Sequence, residues 1–292
     1  MKKTVLMILG VVMLSIMFPL SAQADVGPKP SVVIDFNGLD DEIYYATLLA
    51  RQKSTGPYSV LDQDNQHYSP YQEDHENYAV FRKFVEYQDE DGFYFLQYFA
   101  ECSQTNCFSW TYYPPREFKL LLYFPGDDVF VISPESYERY AFDSYFTANI
   151  TEASLGLTTA AEISLTKSYN YSYEVFSLMV RILLTLAIEL GIALLFGLRG
   201  KRVFRLIVII NLVTQIALNL ALNSINYYMG SMAFVIFYVL LEIAVLTLES
   251  ILYVTFLKKE ASKLKLMGYA FFANAASFSL GMLLAVKLPG IF

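Results

Sequence analysis

From about residue 175 to residue 288 the chain is apolar over roughly four membrane crossings. Short breaks fall at 198–202, 226–231 and 258–265. Few folds are open to such a stretch. In hydrocarbon, every backbone N–H and C=O must be satisfied within the protein, which leaves helices or a closed barrel. About 20 apolar residues make one helical span. Four spans are expected, at 175–197, 203–224, 232–257 and 266–288, forming a four-helix transmembrane bundle in a lipid bilayer.

The breaks carry a charge signal. Arg199, Lys201, Arg202 and Arg205 cluster at the first, and Lys258, Lys259, Lys263 and Lys265 at the third. The middle break, Asn226-Tyr227-Tyr228-Met229-Gly230, has no charge. Basic loops stay cytoplasmic. The first and third turns are therefore expected inside. The middle turn, the C-terminus and everything before the first span are expected outside. The N-terminus agrees independently. Lys2 and Lys3 precede an apolar core at 4–20 and a small-x-small site, Ala22-Gln23-Ala24. This pattern reads as a signal peptide over 1–24, leaving Asp25 as the mature start. An uncleaved anchor is the alternative, and it also places the residues from Asp25 to the first span outside.

Composition supports the division. Of the 292 residues 55% are hydrophobic, and the mean hydropathy is +0.39, too apolar for an ordinary soluble domain. The net charge of −7 hides two unlike halves. Residues 25–174 hold 24 acidic and 9 basic side chains, whereas 175 onward hold 4 and 10. An acidic module is thus joined to a mildly basic membrane module. That balance argues against nucleic acid, whose phosphates need Lys and Arg.

Residues 25–150 read as the extracytoplasmic domain, and 151–174 as a connector. Strands are expected at 31–36, 43–49, 93–100, 118–124, 129–132 and 143–150, with a helix at 76–87. Asn37-Gly38 suits a turn that lets the second run pair back on the first. Pro125-Gly126-Asp127-Asp128 suits a hairpin. The fold class is a membrane protein with a β-rich domain, sandwich-like or α+β, ahead of the bundle. The tyrosines crowd this half; they suit either strand filling or a recognition face. Tyr169, Tyr171 and Tyr173 precede the first span, as in an interfacial aromatic belt.

The segments DVGPKPSV at 25–32, ERYAFDSYF at 138–146 and TQIALNLALNSINYYMG at 214–230 carry a resemblance. In these the chain resembles a group of uncharacterised bacterial membrane proteins with a signal peptide, an outside domain and four C-terminal spans. The resemblance implies this layout and no activity.

Catalytic signals are missing from the sequence. It contains no G-x-S-x-G, no H-E-x-x-H and no phosphate-binding glycine loop. No enzyme, cofactor or metal centre is expected. Asp62, Asp64, Gln66 and Glu73 match positions 1, 3, 5 and 12 of a calcium loop. His67 stands where the sharp turn needs Gly, so a solvated acidic loop is expected instead. Cys102 and Cys107, close together in an exported module, are expected to form a disulfide.

The polar residues inside the spans are the sharpest functional signal, because each costs free energy in hydrocarbon. Arg181, Thr185 and Glu189 share a face of the first span, and Asn211, Gln215, Asn219 and Asn223 a face of the second. Glu242 and Glu249 share a face of the third, and Asn274 and Ser277 lie on the fourth. Counting rise per residue from each midpoint puts Glu189, Asn211, Glu249 and Asn274 in one layer. Arg181 and Glu242 fall on the other side of the midplane and are expected to form an ion pair. Glu189 and Glu249 have no base at their depth. They are expected to share a proton or to hold a cation with the amides, or else to glue the helices. The functional expectation is a binding or sensing protein acting through a protein partner or a second copy. The alternative is an ion- or proton-coupled transporter or channel subunit using the carboxylates.

Overall fold

The computed structural model describes residues 27–39, 42–61, 71–150 and 163–287, with side chains described as far as residue 283. The signal peptide expected at 1–24 and most of the acidic loop expected at 62–73 lie outside the described residues. The remainder is a β-rich N-terminal region followed by four long apolar helices.

Among the described residues nine strands form two sheets. The first contains β1 (Ser31–Asn37), β4 (Cys107–Trp110), β8 (Asp143–Asn149) and β9 (Ser164–Lys167) in the order β4-β1-β8-β9. β1 runs parallel to β8, more than a hundred residues away. Side chains clasp both ends of this pair: Ser31 Oγ donates to Asp143 at 2.6 Å, and Asn37 Nδ2 to Asn149 at 3.2 Å. The second sheet contains β2 (Tyr45–Ala50), β3 (Ala100–Glu101), β5 (Glu117–Phe124), β6 (Val129–Ile132) and β7 (Tyr137–Glu138), all antiparallel.

Strand alternation explains the packing. Val32, Ile34 and Phe36 of β1 face inward with Trp110 and Phe146, against Leu48, Phe118, Leu120 and Leu122 of the second sheet. The intervening residues of the second sheet, Tyr45, Leu49, Leu121 and Tyr123, point the other way. There α1 (Tyr78–Glu86) covers them with Phe81 and Phe84. β2 and β5 are therefore apolar on both faces and read as continuous runs instead of alternating ones.

The strands at 31–36, 118–124, 129–132 and 143–150, the helix at 76–87 and the hairpin at Pro125–Asp128 fall close to their expected places. Other readings need correction. β1 and β2 do not pair; the turn at Gly38 carries the chain from one sheet to the other. Gly38 is required there, since its φ is +86° and a Cβ would meet the Ile150 carbonyl at 2.1 Å. Residues 93–99 make one bridge, Ala50 with Tyr94, and then turn at Gln97, whose φ is +63°. β9 lies within the stretch read as connector.

Lys119 on β5 is buried on the helix-covered face. Its ammonium bonds Asp89 at 3.3 Å and also Asp91, both in the loop after α1, and sits over the Phe93 ring. This pairing anchors the loop to the sheet.

The bundle consists of α2 (Tyr171–Leu195), α3 (Lys201–Met229), α4 (Ser231–Leu257) and α5 (Lys263–Lys287). α2 and α4 each pack on both α3 and α5, so the helices form a square with α2 and α4 on a diagonal. Leu183, Leu195, Val213, Leu220, Ile243 and Phe271 point outward and exposed, as a lipid-facing surface requires. The chain is a multi-pass membrane protein. The β-rich region meets the bundle at the α3–α4 turn, where Phe142 N–H donates to the Tyr227 carbonyl at 2.8 Å. Tyr140 and Tyr169 pack around the Tyr227 ring. Gly230 has φ +82°, and a Cβ there would strike the Phe142 ring at 2.5 Å.

The buried lysine gives the first testable expectation. Its hydrogen bond holds the Asp91 carboxyl below the usual aspartate range. Burial pushes the Lys119 ammonium down, but the hydrogen bonds to Asp91 and Asp89 outweigh it and leave its value raised. A lowered acid stabilises above its unfolded value, and a raised base below its own. The contribution is therefore complete between about pH 4 and pH 10 and is lost outside that window. Lys119→Met strands the buried Asp89 charge and is expected to destabilise the domain by about 3–5 kcal/mol at pH 7. Chemical denaturation of the variant across pH checks both the size and the window.

Candidate functional site

Glu189 on α2 and Glu249 on α4 are fully buried inside the bundle. Helical periodicity brings them their partners. Asn211, Thr214, Gln215 and Asn219 recur every three or four residues on α3 and so share the buried face, between α2 and α4. Asn211 Nδ2 donates to Glu189 Oε2 at 2.5 Å. The hydroxyls of Tyr253 on α4 and Tyr269 on α5 donate to the same oxygen at 3.4 and 3.3 Å. Thr214 donates to Glu249 Oε1 at 2.6 Å, and Asn274 Nδ2 to Glu249 Oε2 at 2.8 Å.

Glu189 is therefore held from α3, α4 and α5, and Glu249 from α3 and α5, and among the described residues no hydrogen bond joins the two carboxylates. Asn211 and Thr214 are three apart on α3, and Glu249 and Tyr253 four apart on α4. The two groups are consequently stacked about one turn, or 5 Å, from each other. That is near enough for the carboxylates to feel each other's charge. Among the described residues no lysine, arginine or histidine forms an ion pair with either.

The amide orientations follow from the bonds. Each Nδ2 donates to a carboxylate and also to the carbonyl one turn earlier, Ile207 at 3.1 Å for Asn211 and Ala270 at 3.0 Å for Asn274. Their oxygens must then point away. Asn211 Oδ1, Asn274 Oδ1 and Glu189 Oε1 are all buried without a hydrogen-bond partner. An amide oxygen, or the oxygen of an ionised carboxylate, can only accept. A buried acceptor left unsatisfied costs about 1–3 kcal/mol. Glu189 Oε1, on one of the two carboxylates, and the amide oxygens of Asn211 and Asn274 are acceptors of the type that a proton or an oxygen-ligated cation takes.

The second polar layer lies nearer the β-rich region. The expected ion pair between Arg181 and Glu242 is not made. Arg181 Nη1 donates to Asn219 Oδ1 on the adjacent α3 at 3.2 Å, and Glu242 faces Tyr238. Arg181 is instead taken up by the adjacent α3 and Glu242 by Tyr238 of its own helix, while α2 and α4 stand on a diagonal, so a direct pair would have to reach across the bundle. Both side chains line one cavity of about 100 Å³ between the four helices.

The expected Cys102–Cys107 bond is also not made, and both thiols are free. Cys107 takes an outward position on β4, paired in register with Asp35, whereas Cys102 is buried in the core between the sheets. Burial pushes the Cys102 thiol up to about 12. It is thus a packed apolar group and a poor nucleophile.

The structure brings Glu189 to Asn211 and Glu249 to Asn274. Sequence reasoning missed Thr214, Tyr253 and Tyr269. Two of these carried a signal: Thr214 is three residues from Asn211, and Tyr253 four from Glu249, both on the polar face. Among the described residues no cluster of three or more His, Cys, Asp or Glu forms a metal site. Comparison with protein-family profiles, curated proteins and solved structures finds no match to this chain.

Proposed function

We propose that the protein is an ion- or proton-coupled membrane protein whose bundle holds one exchangeable positive charge on the Glu189–Glu249 layer. One observation carries this reading: two buried carboxylates have no base, and Glu189 Oε1 and the amide oxygens of Asn211 and Asn274 beside them have no donor. Two such charges in low dielectric cannot both stay ionised without compensation, and one proton or one monovalent cation removes one of them. Neutral glue between helices needs no unsatisfied acceptors. Uptake of the charge ends the repulsion between the pair, and its release leaves α2 and α4 with like charges one turn apart. That is a local electrostatic change able to bias the helix arrangement.

A second reading is favoured by the junction. The β-rich domain grips the α3–α4 turn through Phe142, Tyr227 and Gly230, and α3 and α4 carry Asn211, Thr214 and Glu249. In this reading the domain senses a ligand, and its state reaches the layer through those two helices and passes on to a partner chain or a second copy. On either reading the domain and the α3–α4 turn lie outside the cytoplasm, an orientation that the basic turns support.

The coupled reading is tested by flux. Purified protein in liposomes is expected to move protons, sodium or potassium down an imposed gradient. Glu189→Gln and Glu249→Gln are each expected to lower the rate at least tenfold. Wild-type rates equal to empty liposomes for all three ions would contradict it and leave the sensing reading. Orientation is checked separately. With Cys102 and Cys107 replaced by alanine, an impermeant thiol reagent applied to intact cells is expected to modify Asn226→Cys and to spare Lys201→Cys. The reverse pattern inverts the topology.

A further inference from the structure

The cavity of the second layer sets a problem that the Glu189–Glu249 layer does not answer. It holds a guanidinium and a carboxylate, opposite charges that face the same space without meeting. Arg181 Nε and Glu242 Oε2 are each buried without a hydrogen-bond partner. A pair in direct contact would have satisfied both, but Arg181 is turned to Asn219 and Glu242 to Tyr238. A lone charge inside a bundle is costly, and the two here are kept apart at the edges of a space that a small molecule can enter.

The rest of the lining has the make-up of a ligand site, apolar walls with a few placed polar groups. Leu184, Leu218 and Phe234 form the walls, and Gln215, Asn219 and Tyr238 add neutral hydrogen-bonding groups. Gly281 completes the lining. A Cβ there would stand 2.9 Å from the Tyr238 hydroxyl, so the glycine lets that ring cross between α4 and α5. One water needs about 10–15 Å³ of such a cavity, so roughly seven fit, or one small organic molecule.

We propose that this cavity binds a small zwitterion, one molecule carrying both an acidic group and an ammonium. The acidic group lies against Arg181, whose guanidinium presents a donor not used by Asn219. The ammonium lies against Glu242, and the apolar remainder packs on the leucines and Phe234. An anion alone leaves Glu242 unpaired, and a cation alone leaves Arg181 unpaired, so the site discriminates against both. Two sources supply this chemistry: a free amino acid, or the headgroup of a lipid such as phosphatidylethanolamine. The proposal rests on this cavity alone. On the coupled reading the zwitterion is also the molecule whose movement the ion drives, and only that clause depends on the Glu189–Glu249 layer.

The test uses full-length protein in nanodiscs made of phosphatidylglycerol alone. Binding of glycine, alanine and leucine is measured by calorimetry. For leucine, it is compared with 4-methylpentanoate, which lacks the amine, and 3-methylbutylamine, which lacks the carboxylate. In parallel, nanodiscs containing phosphatidylethanolamine are examined by native mass spectrometry for lipid retained by the protein. If the source is free, at least one amino acid binds, and leucine binds at least tenfold more tightly than either analogue. If the source is lipid, phosphatidylethanolamine is retained over phosphatidylglycerol. Either result supports the proposal, and Arg181→Gln and Glu242→Gln are each expected to abolish it. The proposal is overturned if single-charge analogues bind as well as leucine. It is equally overturned if no amino acid binds and phosphatidylethanolamine is not preferred. The analogue and lipid comparisons use the wild-type protein, so they stand even if a variant fails to fold. Loss of ion flux in the Glu189 and Glu249 variants with zwitterion binding intact would separate the two sites.

Discussion

Holding a carboxylate away from water is the dominant electrostatic cost inside this bundle, and the arrangement of its polar side chains follows from it. Glu189 and Glu249 can be buried only if hydrogen-bond donors surround them. The helices supply these as Asn211, Thr214, Tyr253, Tyr269 and Asn274. The apolar core on the far side, with Leu198, Ile207, Leu257 and Leu266, packs below this layer and closes it from that end. Donors alone do not neutralise charge. The unsatisfied oxygens of Glu189, Asn211 and Asn274 mark where the compensation is incomplete, and so where a proton or cation binds in the proposed function.

The two polar layers are built from the same four helices and differ in how their charges are disposed. In the first, like charges converge and need a positive species between them. In the second, opposite charges are held apart and need a species with both signs. The proposed ion and zwitterion sites, stacked about two turns apart in one bundle, would have a physical basis for coupling. Movement of α2 or α4 that alters one layer must alter the other, because Arg181 and Glu189 share α2, and Glu242 and Glu249 share α4. The β-rich domain contacts the same end of the bundle as the zwitterion cavity, through Phe142 and Tyr227.

What the sequence disclosed and what it hid divide along one line: distance along the chain is legible, lateral neighbours are not. Span length, and the three-and-four spacing of Asn211, Gln215 and Asn219, are local and could be read directly. So could β1, β5, β6 and β8, whose alternation or apolar runs are self-contained. The failures all concern which elements lie side by side. Arg181 and Glu242 lie on the same side of the midplane, but depth does not reveal that α2 and α4 are diagonal. Cys102 and Cys107 match in spacing, but one faces the core and the other the outer surface of β4. Asn37-Gly38 fits a hairpin turn, but β1 chose β4 and β8 as neighbours. The short strands β3, β7 and β9 have too few residues to show a period at all.

The central claim is that the Glu189–Glu249 layer carries one positive charge. Infrared difference spectroscopy of the membrane-embedded protein tests it most directly, since a protonated carboxyl and a carboxylate absorb in separate regions. Between acidic and alkaline buffer, with sodium and potassium absent, the account expects one carboxylic acid band to disappear and a carboxylate band to grow. Both are expected to be missing from Glu189→Gln or Glu249→Gln, and adding the coupling ion, if it is a metal cation, is expected to convert the acid to carboxylate at fixed pH. Spectra in which both glutamates remain ionised throughout, with no cation bound and no loss of stability, would contradict it.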